Sequence, residues 1–353
     1  MKIANFDEYG YYPTLRTRNA EMKGLEKLDA SLKKRMLPLI TLGKWPKSED
    51  FAKSADKAVQ AMEGNPFFID LPSDPRHHSA TSTELTNPTD NFAQWRSFVT
   101  NYEQAIPIVQ MTGGTRREIS QQARKLESSV GKIGFRLRDF SKETPLVIAA
   151  LSAMDNVENA LVFLDAQYIR SAFSAYVAAC TGTINALRAE IPETIITLLS
   201  TSFPASRTQH TDSSKMHGSI NNMDRELHES IGGTPIAMYG DYGSIHAVIY
   251  DDQTIMRWSP TIDYPLDYEW VFERRTGFEN GMGYIDAARA LVDTFPDIKK
   301  SPLWGDQMIA DAASGKPYGS APQSWIAVRV NLHLARQLAL SERSSLDDEE
   351  VEL

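Results

Sequence analysis

TRREISQQARKLESSVGKIGFRLRD, residues 115–139, contains one turn of the pattern on which the fold rests. Thr115 and Glu118 form a T-x-x-E capping box that opens a helix. Ile119, Ala123, Leu126 and Val130 then recur at helical spacing. From Lys132 to Asp139 the period changes to two, the period of a strand. Gly134, Arg136 and Arg138 fall on one face and Ile133, Phe135 and Leu137 on the other. The apolar set suits contact with covering helices, which turns the two arginines toward the opposite side.

Working outward, short apolar, β-prone runs that end in a polar residue recur at 36–42, 66–71, 106–111, 132–139, 161–165, 194–201 and 235–240. Helical patterns separate most of them. Ser48-Glu49-Asp50 precedes Phe51, Ala55, Ala58, Val59 and Met62 on one face, and Gly64-Asn65 closes that helix. Pro88-Thr89 precedes Phe92, Trp95, Val99 and Tyr102. Thr144-Pro145 reads as another helix start. Strand and helix alternating about every 30 residues predict right-handed βαβ units and a parallel sheet. An eighth strand fits at 270–274, after an insertion at 242–266. Eight strands would close a (β/α)8 barrel of the TIM type, with an added strand and helix at 12–28 and a helical C-terminal extension. An open doubly wound sheet is the alternative, but no G-x-G-x-x-G follows any of these strands. The expected organisation is one domain over 1–340, followed by a disordered acidic tail at 341–353 that holds Asp347, Asp348, Glu349, Glu350 and Glu352.

Composition narrows the function. The 353 residues carry 37 Lys plus Arg and 46 Asp plus Glu, a net charge of −9, which disfavours bulk nucleic-acid binding. The N-terminus has no apolar h-region, and the longest uncharged run, 171–187, is too short and polar to span a bilayer. The single cysteine, Cys180, lies in an apolar stretch and reads as a buried thiol. A cytoplasmic protein without membrane contact is expected.

Asp70 ends the second run, Asp165 the fifth, and Asp241 follows the seventh. With Arg136 they would ring the C-terminal strand ends, where barrel sites lie. Such a ring could hold a phosphate or carboxylate through the guanidinium fork, with the carboxylates as bases or Mg²⁺ ligands, or could be an internal ion-pair network. His210, Asp212, His217 and His228 follow the sixth strand without a compact zinc spacing, so the polar segment 207–233 reads as a lid and no metal site is expected. Gly113-Gly114-Thr115-Arg116-Arg117 is not a P-loop and reads as a tight turn. Ser200, Thr201 and Ser202 lack a G-x-S-x-G elbow.

Several landmarks resemble the phage Beta protein family. They begin with Tyr12-Pro13-Thr14-Leu15-Arg16-Thr17-Arg18-Asn19-Ala20-Glu21 and Pro38-Leu39-Ile40. Arg136, Asp165, Ser202-Phe203-Pro204, Tyr239-Gly240-Asp241-Tyr242, Trp304-Gly305-Asp306, Trp325 and Asn331-Leu332-His333-Leu334 follow in order. The resemblance adds Arg16, Arg18, Glu21, Tyr242, Trp304, Asp306 and His333 to the two arginines of the strand, Arg136 and Arg138, as ligand-binding candidates. Thr41 stands where the family usually has Glu, and Leu332 where many members have a second His. The resemblance implies phage exclusion or defence, through binding and restraining a protein partner from the same phage or defence locus, as an antitoxin does, or through sensing a phage product. It implies no established reaction and no cofactor. The alternative is a barrel hydrolase acting on a phosphorylated or nucleotide-like ligand, the one reading in which Mg²⁺ would take part.

Overall fold

The computed structural model of the chain describes residues 4–45, 48–74, 77–206, 215–248, 259–275 and 281–351. The first half alternates short strands with helices: β1 (Thr14–Arg16), α1 (Asn19–Glu26), α2 (Ala30–Lys33), β2 (Leu39–Thr41), α3 (Phe51–Met62), β3 (Phe67–Asp70), α4 (Ala80–Leu85), α5 (Thr89–Val99) and β4 (Ala105–Pro107). It continues with α6 (Arg116–Val130), β5 (Ile133–Leu137), α7 (Phe140–Leu151), β6 (Ala160–Tyr168), α8 (Phe173–Glu190) and β7 (Ile195–Thr201). The last part holds β8 (His217–Asn221), α9 (Asp224–Ser230), β9 (Met238–Asp241), β10 (Thr261–Pro265), β11 (Glu269–Arg274), α10 (Met282–Thr294), α11 (Trp304–Ala313) and α12 (Pro322–Val351).

The class is α/β with parallel sheets. β1-β2-β3-β4 and β5-β6-β7-β9 are two parallel four-stranded sheets, and β10-β11-β8 is a separate antiparallel sheet. Between β4 and β5 there is one bridge, Ile108 to Gly134, in which the Val109 N–H donates to the Gly134 carbonyl at 2.8 Å. At the other edges the Tyr12 N–H donates to the Tyr239 carbonyl at 3.1 Å.

The sequence pattern explains the layers. Ile133, Phe135 and Leu137 are wholly buried in a cluster with Ile119, Ala123 and Leu126 of α6 and Val147 and Ala150 of α7. The other strand faces meet one another. Leu39, Phe68 and Ile106 of the first sheet share a cluster with Leu161, Phe163 and Leu199 of the second, and the Phe68 and Phe163 rings pack edge to face at 4.8 Å. Gly134 lies on that inner face because a Cβ there would come within 2.6 Å of Ile108 Cδ1 and 2.8 Å of Phe68. A third cluster joins Ile262 and Tyr264 of β10 to Tyr284, Leu291, Trp325, Val328 and Leu332 on α10 and α12.

Four expectations change. The run 270–274 is not an eighth parallel strand. It belongs to β11, which pairs antiparallel with β10 and β8, so that Trp270 and Phe272 pack with Phe203 and Ile220 instead of with the parallel strands. The segment at 12–28 is no appendage, because β1 pairs in parallel with β2. The α7 helix starts at Phe140, with the Asp139 side chain accepting from the Lys142 N–H, so Pro145 falls inside it. The supposed tail begins as helix, since α12 passes through 341. There Arg225 donates to Ser341, Arg35 pairs with Glu342 at 2.6 Å and Arg343 pairs with Asp267 at 2.7 Å. Glu352 and Leu353 lie outside the described residues.

Candidate functional site

The parallel strands bring their C-terminal ends to one side. There, Arg136 of β5 donates Nε–H to Asp165 Oδ2 at 2.8 Å. One terminal nitrogen reaches Asp70 Oδ2 at 3.2 Å and Thr41 Oγ1 at 2.9 Å, and the other reaches the Tyr242 hydroxyl at 3.2 Å. Tyr242 in turn donates to Asp165 at 2.7 Å. Arg138 adds a 2.8 Å pair with Asp70 and a 3.7 Å approach to Asp165. The remaining carboxylate oxygens accept from the Leu71 N–H at 2.8 Å, Gln110 Nε2 at 3.2 Å and the Gln167 N–H at 3.0 Å. Asp165 is 1% exposed, Asp70 2% and Arg136 5%. Burial pushes the Asp70 carboxyl up, but Arg138 and then Arg136 outweigh it and hold it below the usual carboxylate range. Burial likewise opposes the Arg136 charge, and Asp165, Tyr242 and Asp70 keep it protonated.

Above this floor opens a cavity of about 550 Å³, whose walls carry Arg16, Thr17, Arg18, Lys44 and Arg138. Arg16 is tied down: its guanidinium donates to the His246 carbonyl at 3.0 Å and to the Ala247 carbonyl. Behind it, Glu21 accepts from the Arg16 N–H at 2.6 Å, and burial against that contact raises its pKa. Five of the expected ligand-binding residues, Arg16, Arg18, Arg136, Arg138 and Tyr242, therefore meet at one cavity.

Asp241 does not join them, which corrects the expected ring of four. The parity of β9 is the reason. Tyr239 and Asp241 point to the helix side, whereas Tyr242, one residue on, points inward to Asp165. Asp241 makes a second buried centre. It accepts from Tyr11 at 2.5 Å, Tyr239 at 2.9 Å and the Gly243 N–H at 2.8 Å, and it lies 2.8 Å from His333 Nε2. Burial raises its pKa, and His333 leads the contacts that bring it below the carboxylate norm. His333 is thus a buried partner of Asp241 and does not reach the cavity. Trp304 packs edge-on against Tyr318 at 5.1 Å, and Asp306 takes a 3.3 Å pair from Arg336, both away from it. Leu332, beside His333 in sequence, is wholly buried in the α10–α12 cluster.

Thr17, Lys44, Gln110, Tyr11 and Tyr239 were missed as site residues. Thr17 and Lys44 follow the ends of β1 and β2, a positional signal that could have found them. Tyr11 and Tyr239 gave none, since their role depends on which face β9 turns outward. His217 lies in β8 and His228 in α9. His228 sits 2.6 Å from the Ala237 carbonyl, and burial lowers its pKa to about 4. His210 and Asp212 are outside the described residues. Among the described residues no cluster of three or more His, Cys, Asp and Glu side chains is placed to hold a metal ion, and no helix is long and apolar enough to cross a membrane.

Parallel strands with a buried arginine–carboxylate floor beneath a cavity lined by arginines and a lysine define an α/β protein with a basic cavity at its strand ends. The chain belongs to the Beta protein family, whose sequence profile, described as "Beta protein", matches residues 11–339. It is similar to "Protein beta" of Enterobacteria phage P4, with 46% identity over 344 residues that cover 97% of this chain and 96% of the phage protein.

Proposed function

We propose that this Beta-family protein acts in phage exclusion by binding, holding and restraining a protein partner encoded at its own locus, and that it works in the cytoplasm. The observation that carries this reading is that the carboxylates of the floor are buried and already paired. A general base needs a carboxylate free to take a proton. Here Asp70 and Asp165 are buried and every carboxylate oxygen already accepts hydrogen bonds. Two carboxylates converge instead of three, and Thr41, in place of a Glu, supplies a hydroxyl to Arg136. The cavity above favours the second reading, a hydrolase of a phosphorylated ligand, in which Mg²⁺ would have to draw Asp70 or Asp165 away from the arginines.

The same proposal includes a closed (β/α)8 barrel built from β1 to β7 and β9. It is supported by the Ile108–Gly134 bridge at one pair of sheet edges, by the Tyr12–Tyr239 hydrogen bond at the other, and by the apolar cluster the two sheets share.

Asp165→Asn and Arg136→Lys test the function once thermal melting confirms that they fold. Phage plating, rescue from a neighbouring toxic gene and co-purification of the partner are then scored. Binding predicts that both variants keep exclusion and partner. Complete loss of activity while the partner still co-purifies would sink the binding reading and leave the hydrolase.

A further inference from the structure

We infer that the cavity at the strand ends is a binding site for a phosphate monoester, gripped by Arg18, Lys44 and the Thr17 hydroxyl with Arg138 at its back. The inference goes beyond both readings above and depends on neither, because it names a ligand of the cavity and not a partner or a reaction.

The location is the first support. Ligands of α/β proteins bind beyond the carboxyl ends of parallel strands, and about 550 Å³ lies within the usual range for a small-molecule pocket. Charge is the second. The cations on the wall differ in how far they are already committed. Arg136 and Arg138 are neutralised by Asp165 and Asp70, and Arg16 is held by two backbone carbonyls over Glu21. Arg18 makes no ion pair with a described residue and is exposed, at the N-terminal boundary of α1 where its side chain caps nothing. Lys44 pairs with Glu49 at 3.0 Å, but both are solvent-exposed, at 43% and 67%, and such a pair is weak enough to be exchanged for a dianion. The one carboxylate on the cavity wall among the described residues, Asp74, lies 4.0 Å from His77.

Thr17 is the third and most specific support. The residue is 1% exposed, its N–H is used by the Thr41 carbonyl at 3.0 Å, and its Oγ1 has no hydrogen-bond partner among the described residues. A buried hydroxyl left unpaired is costly, and here it lies on the cavity wall. Gly43 stands nearby. A Cβ there would lie 3.8 Å from Thr17 Oγ1, an ordinary contact distance, so the Gly43 backbone passes close to the hydroxyl on the same wall. A phosphoryl oxygen accepting from Thr17, with its sisters facing the Arg18 guanidinium and the Lys44 ammonium, satisfies the orphan and meets the cations as charge-assisted hydrogen bonds.

Isothermal titration of the full chain with inorganic phosphate, adenosine 5′-monophosphate and adenosine tests this. Phosphate and the monophosphate should bind, adenosine should not, and affinity should fall with added salt. Arg18→Ala and Lys44→Ala should each weaken binding about tenfold, Arg18→Lys should restore most of it, and Thr17→Val should cost about threefold to tenfold with little change in melting temperature. Tighter binding of the monophosphate than of phosphate would assign a nucleotide-like ligand, and equal binding would assign free phosphate. Absence of heat with both anions at about 1 mM, equal binding of adenosine, or unchanged affinity in both alanine variants would overturn the site. No phage or partner enters this measurement, so it can fail while the exclusion reading stands, and the reverse.

Discussion

At the scale of single residues, Arg136 is the keystone of the strand-end floor. Replacing it with Met keeps length but leaves Asp165 and Asp70 buried against fewer cations. Breaking a buried pair in this way costs roughly 3–5 kcal/mol, which urea unfolding at neutral pH would measure. The Asp70 pKa is lower folded than unfolded, because Arg138 and Arg136 overcome the effect of burial. Its contribution is therefore complete above the unfolded carboxylate value of about 4 and is lost as pH falls through the lower folded value. Urea midpoints between about pH 5 and 2 should show that fall, and Asp70→Asn should flatten it. Cys180 presents a different chemistry. It is wholly buried and burial pushes its thiol up to about 12, so a thiol reagent should label it only after denaturation. Fast labelling of the native protein would contradict the packing of α8.

Elements respond to their own local devices. The capping box at the start of α6 is present as the sequence predicts: the Glu118 N–H donates to Thr115 Oγ1 at 3.3 Å, and Glu118 Oε2 accepts from the Thr115 N–H at 2.8 Å. Thr115→Ala should cost about 1 kcal/mol in an unfolding experiment and leave every contact of the strand-end floor intact. Gly134 in β5 tests packing instead. Its Cβ would press on Ile108 and Phe68, so Gly134→Ala should cost about 1–3 kcal/mol despite the better intrinsic propensity of alanine. A neutral or stabilising Gly134→Ala would mean that the inner face of β5 is looser than the Phe68–Phe163 contact indicates.

For the whole molecule the decisive question is how the two parallel sheets are joined. Gly240 of β9 lies against Tyr12, two residues before β1. A Cβ there would run into the Tyr12 carbonyl and lie 2.5 Å from Leu199 Cδ2. Gly240→Ala should therefore destabilise by about 3 kcal/mol or more, well beyond an ordinary glycine-to-alanine change in a strand, and raise hydrogen exchange at the Tyr12 amide. A Gly240→Ala variant as stable as the parent would argue against a joined barrel and return the sheets to separate layers.

Hydrophobic period and local start signals determined much of this protein by themselves. The alternation at 133–137 fixed which side chains face the helices, and each of the seven apolar runs contributes a parallel strand. These are short-range properties of a chain whose every second or every third to fourth residue must leave water. Arg136, Arg138, Asp70 and Asp165 were legible for the same reason, since residues at the polar ends of parallel strands are carried to one side of the sheet. Long-range pairing decided the rest. Nothing local separates β11, apolar and β-prone, from a parallel strand; its antiparallel partners β8 and β10 do. Asp241 and Tyr242 are adjacent in sequence, yet the register of β9 turns one toward His333 and the other toward Asp165. A one-residue change of parity would exchange their fates, and only the tertiary structure sets that parity.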